Sequence, residues 1–177
     1  QDRAGVLQAI LDKHEPAVEA RRHAMLDQYE ADGEPNLRAL AAALVRPSAS
    51  KLADPDGGLA FLQITAELLN RPHSMRSLTS AEDPQSSTYR WRALVTPLLA
   101  EEAVRLHRRF AAMHFTASEL ARRASSGPHR DDRLFVSHLI DLVTGLLAAV
   151  VSEETLRLAA EKDAATVPVR KSRQPKE

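Results

Sequence analysis

The sequence predicts an all-α protein, and three observations carry that prediction. Aromatic residues make up only 4% of the chain while Ala, Leu and Arg dominate. That composition favours helix over strand, because β-branched and aromatic side chains are sparse. Apolar residues recur at helical spacing: Leu106, Phe110, Met113, Ala117, Leu120 and Ala124 lie 4, 3, 4, 3 and 4 apart, a sustained core stripe. The third observation is the stretch from Asp131 to Ser152, DDRLFVSHLIDLVTGLLAAVVS. Its polar positions Arg133, Ser137, Asp141 and Thr144 fall on one narrow stripe, and almost everything else is apolar. So wide an apolar face needs cover on two sides, from its own domain and from something else. An identical chain is the expected second cover.

The elements follow in order. Gln1 to Ala31 reads as one long helix with Val6, Leu7, Ile10, Leu11, Val18, Met25 and Tyr29 in period; Pro16 inside it should kink it. Gly33-Glu34-Pro35 ends it and Asn36 caps the next helix, which carries Leu37, Leu40, Ala41, Leu44 and Val45. Pro47 and the Ser-rich SAS behind it are expected to interrupt that helix or to begin a new short piece. DPDGG, Asp54 to Gly58, is a strong break. A third helix, Leu59 to Asn70, presents Leu59, Leu62, Ala66 and Leu69 on one face. Arg71 to Ser87, with Pro72, Pro84 and many serines, reads as a loop. A fourth helix starts at Thr88 with Tyr89, Trp91 and Leu94. Thr96-Pro97 then opens a fifth or kinks the fourth. The fifth runs to about Ser125 and has a second face of Val104, His107, Ala111 and Phe115. Ser125-Ser126-Gly127-Pro128 stops it, and Asp131 or Asp132 caps the sixth. Six to seven helices are expected. Residues 1–160 form the body, and 161–177, ending in VRKSRQPKE, form a disordered basic tail.

Composition bounds the function. The chain has 177 residues, enough for one domain with a core, and its 44% hydrophobic and 27% charged content is ordinary for a globular protein. Net charge is zero, so no global field draws it to nucleic acid or to an acidic membrane. It has no cysteine, which removes disulfides, thiolate catalysis and cysteine metal sites. A cytoplasmic location is expected, with no signal peptide or membrane span. The chain opens on Gln rather than Met, so a longer gene product is expected.

Chemistry-bearing motifs are weak. His107 and His114 share a helix face and His138 lies on the next helix, but no HExxH occurs and no carboxylate stands at ligand spacing between them. These read as interface or pocket histidines, and neither a metal nor another cofactor is expected. No GxSxG elbow or glycine-rich phosphate loop is present, so no catalytic residues are assigned and no enzyme is expected. Arg105, Arg108 and Arg109 follow Glu101 and Glu102 at spacings suited to ion pairs on a wet face.

The order of the pieces resembles a known family. GVLQAILDKHEPAVEARRHAMLDQYE resembles the helix that joins the DNA-binding head to the body of tetracycline-repressor (TetR) family regulators. NLRALAAALVRP and GGLAFLQITAELLNRP resemble the next two helices of one branch. EEAVRLHRRFAAMHF and DDRLFVSHLIDLVTGLLAAVVS resemble the two C-terminal helices. The resemblance implies a TetR C-terminal-like helical bundle whose last two helices pair with a partner copy in a four-helix bundle. Val104, His107, Ala111, Phe115, Phe135, Leu139, Leu142, Leu146 and Val150 would form that interface. It implies ligand-responsive transcriptional regulation, most simply repression, with a small, largely apolar effector. Operator DNA would be read by a helix-turn-helix head preceding Gln1, so no DNA-reading residue falls in this chain. The cavity wall would include Leu62, Ala66, Trp91, Leu94, Phe110 and Met113, with Gln63, Thr65 and His114 as polar handles. For each of these, plain core packing is the alternative. A helical protein-interaction module without a ligand is the rival function.

Overall fold

The computed structural model describes residues 3–70 and 83–166. Those residues form eight α-helices and two 3-10 turns, with no strand among them. Helix α1 spans Arg3–Asp32, α2 Leu37–Ala49 and α3 Gly58–Asn70. Helix α4 spans Ser87–Val95, α5 Glu101–Arg105, α6 Arg108–Ser125, α7 Asp132–Ala148 and α8 Glu153–Thr166. The 3-10 turns are Ser50–Ala53 and Thr96–Leu98.

Local chemistry explains most boundaries. Gly33 takes φ 70°, open to a residue without Cβ, and ends α1. The Asn36 side chain accepts from the Ala39 N–H at 2.9 Å and starts α2. Ser86 does the same for α4 by accepting from Tyr89 N–H at 3.1 Å. In the DPDGG break, Asp54 accepts from the Asp56 N–H at 3.0 Å, and α3 begins at its last residue, Gly58.

Helix α1 runs unbroken through Pro16, as expected of one long helix. Three elements differ from the sequence expectation. Pro47 does not interrupt α2, which runs through it to Ala49. A proline there has no N–H to give to the carbonyl of Ala43, four residues back. Arg22 Nε fills that place from α1, donating to Ala43 O at 3.2 Å. The expected fifth helix is divided: α5 stops at Arg105, and His107 adopts the left-handed conformation, φ 59°, before α6 starts. The stretch read as one helix from Asp131 to Ser152 ends at Ala148, and α8 follows after a break. Arg108 reaches over from α6 to the carbonyls of Leu147, at 3.4 Å, and Ala149, which satisfies the end of α7. Helix α8 covers 161–166. The remainder of the expected tail, 167–177, and most of the loop expected over 71–87 lie outside the described residues.

Helix α3 packs along α6, α2 packs along α7, and α1 lies across α2. Their shared core holds Leu26, Leu40, Val45, Trp91, Leu120, Leu139, Ile140, Val143 and Leu147, all essentially without solvent contact. One corner of the α6–α7 pair is clamped by Arg123, which pairs with Asp131 and with Asp132 at 2.8 Å and stacks 4.8 Å over the Phe135 ring. Taken singly, no described helix is long and apolar enough to cross a membrane.

Candidate functional site

Five helices leave a gap between them. It is a cavity of about 160 Å³ walled by α1 (Leu11, Glu15, Val18, Glu19, Arg22), α2 (Leu44, Ser48) and α3 (Phe61, Leu62, Thr65, Leu68, Leu69). Thr88 of α4 and Met113, Thr116, Ala117 and Leu120 of α6 complete the described wall. Most of this surface is aliphatic. Thr65 and Thr116 donate their hydroxyl protons back to their own helices, to Phe61 O and Ala112 O, each at 2.8 Å. They therefore add little polarity to the space.

The exception is the Arg22 end. Arg22 is only 6% exposed although it carries a charge. Its Nε holds Ala43 O, its Nη1 donates to Ser87 Oγ at 2.9 Å and to Glu19 Oε1 at 3.4 Å, and its Nη2 donates to Ser48 Oγ at 3.3 Å. Glu19 in turn accepts from the Ser87 N–H at 2.7 Å and from Ser87 Oγ–H at 2.6 Å. Burial pushes the Arg22 pKa below its ordinary value, and Glu19 opposes the shift. A buried charge persists when it is paired and its donors are used, and here α1, α2 and α4 share that task.

The expected pocket residues separate into groups. Leu62 and Met113 line the cavity. Thr65 does too, with its hydroxyl turned back. Ala66 is buried but is not part of the wall. Trp91 is a core residue: it is fully buried and its Nε1–H donates to Leu40 O at 2.8 Å. Leu94 packs half-buried against the core. Phe110 is half-buried under the Arg92 guanidinium, 5.1 Å away. Gln63 is exposed and donates to Ser125 Oγ at 3.1 Å, and His114 is exposed. Sequence reasoning missed Glu19, Arg22 and Ser48. The one signal that pointed there was Pro47, which leaves a carbonyl in need of a donor.

The expected interface residues also divide. Ala111, His107, Leu142 and Val150 are exposed; Val104, Phe115, Phe135 and Leu146 are half-buried. Leu139 is buried within this chain at 1% exposure, so it cannot meet a partner in this fold. Leu134, which was not assigned to the interface, is 68% exposed on α7.

Histidines do not converge. Among the described residues no group of three His, Cys, Asp or Glu side chains is placed to hold a metal ion. Among the described histidines His14 is the buried one. Its Nδ1 lies 3.5 Å from Asp54 Oδ2 and its ring packs 5.4 Å from the Phe61 ring. Asp54 is held below the ordinary carboxylate range, first by the Asp56 N–H and then by Lys51. No known protein family, curated protein or solved structure matches this chain.

Proposed function

We propose that this chain is the effector-binding and dimerising body of a ligand-responsive transcriptional regulator of the tetracycline-repressor type, acting as a repressor. The observation that carries the reading is the position of the cavity. Helix α1, which in that family connects body to DNA-binding head, supplies five of its lining residues, as many as α3. An occupant touching Leu11, Val18 and Arg22 acts directly on that helix. Such a ligand regulates only through its different affinity for two orientations of α1.

The dimer would form on the outer face of α6 and α7. Leu134, His138, Leu142 and Gly145 follow one another on the exposed side of α7, and Ala111, His114 and Ser118 on that of α6. Exposed leucines at 68% and 42% are unusual beside small residues that let a second helix pair approach. Light scattering at micromolar concentration tests this. A mass near twice 19.5 kDa is expected; a monomer would overturn the reading.

A further inference from the structure

We propose that the cavity takes a neutral, small, largely apolar molecule bearing one carbonyl-type acceptor, to which the remaining N–H of Arg22 Nη2 donates. This rests on the reading of the cavity as the effector site, and it specifies the chemistry of the effector.

Size sets the first limit. A space of about 160 Å³ is comparable to the ~150 Å³ apolar cavity that accommodates a benzene ring. One ring or a short branched chain fits, and Leu11, Val18, Leu62 and Met113 offer it apolar contact.

Donor accounting sets the second. A guanidinium has five N–H groups. Four are used, by Ala43 O, Ser87 Oγ, Glu19 and Ser48 Oγ. The fifth, on Nη2, has no partner among the described residues, and both Arg22 and Ser48 line the cavity. A buried donor without a partner is costly, so an acceptor entering here gains more than it would at a surface.

Charge sets the third. Glu19 lies 3.4 Å from Arg22 and already balances it. A carboxylate ligand would have to share one guanidinium with Glu19 and would add an unbalanced negative charge beside the buried Arg22. It would also need two parallel donors for a bidentate pair, and only one N–H remains. A ketone, ester or lactone oxygen needs one donor and adds no charge.

Calorimetry on the whole chain with three probes of one shape tests this. Acetophenone has the neutral acceptor, benzoate the anion, and ethylbenzene neither. Acetophenone should bind about tenfold or more tightly than the other two. Arg22→Met should abolish that preference, so that acetophenone and ethylbenzene bind the variant equally. If the variant does not fold, acetophenone labelled with carbon-13 at the carbonyl reports on the wild type. A downfield shift on binding supports the hydrogen bond, and an unshifted carbonyl overturns it. Equal binding of acetophenone and ethylbenzene refutes the Arg22 anchor and leaves the cavity as an effector site. Tightest binding by benzoate refutes neutrality. Binding of none refutes both this proposal and the cavity reading.

Discussion

The indole N–H of Trp91 donates to the main-chain carbonyl of Leu40 at 2.8 Å, joining α4 to α2 through the centre of the core. Trp91 therefore holds the fold together. Replacing it with Ala should cost roughly 3–5 kcal/mol through lost burial and the void left behind. Trp91→Phe should cost less, about 1–3 kcal/mol, from the missing hydrogen bond and the smaller ring. Urea melts of the two variants check the order. As the sole tryptophan, it should emit at short wavelength, and a cavity ligand should change that emission little.

Leu139 and Leu142 lie one turn apart on α7 and should respond differently to the same change. Leu142 is 42% exposed. Leu142→Arg should leave helicity and folding intact and convert a dimer to monomer in light scattering. Leu139 is in the core, and Leu139→Arg would bury an unpaired charge, a loss of roughly 4 kcal/mol or more. Circular dichroism should show that variant unfolded. A folded monomer from Leu139→Arg and a dimer from Leu142→Arg would place the interface elsewhere.

Acid sensitivity follows from Asp54. Its folded pKa lies below the ordinary 3.8, chiefly because the Asp56 N–H and Lys51 bond its carboxylate. The sign is that of a depressed carboxylate: its contribution is complete above the unfolded value and is lost as pH falls through the lower folded one. Wild-type stability should therefore drop below about pH 4 more steeply than that of Asp54→Asn. Parallel acid titrations followed by circular dichroism check this, and coincident curves for the two proteins would deny the link between Asp54 and acid stability.

Gly58 starts α3 against the preceding 3-10 turn. A Cβ there would lie 2.2 Å from Lys51 O and 2.7 Å from the Asp54 Cβ. The first neighbour is backbone and cannot swing aside. Gly58→Ala should destabilise by about 2 kcal/mol or more despite Ala's better helix propensity. Thermal melts against Gly5→Ala, where a Cβ meets nothing within 4 Å, provide the contrast.

The all-α class was readable because burial periodicity is strong. Leu120 and Ala124 on α6, and Leu139, Ile140, Val143 and Leu147 on α7, are core residues that repeat at helical spacing. The break at His107 was not readable: a left-handed histidine is not signalled the way a glycine is. Trp91 shows the limit for site residues. Apolar bulk suits core and cavity wall equally, and a main-chain carbonyl on another helix decided between them. Arg22 sits in EARRHAM, where two adjacent arginines carry no mark that separates them, yet Arg21 is exposed and Arg22 is buried.

Arg22 also acts as a pin. It fastens α1 to Ala43, Ser48 and Ser87 at one station along the rod. A rod held in that way cannot slide along its axis without breaking those bonds together, and a tilt about the pin has to strain the Lys13–Asp56 and His14–Asp54 pairs nearer its start. Arg3 lies 19 residues from Arg22, a lever arm of about 28 Å at 1.5 Å per residue. Each degree of tilt then carries the far end roughly 0.5 Å. A shift too small to disturb the core beside Leu26 is thus magnified at the start of the chain.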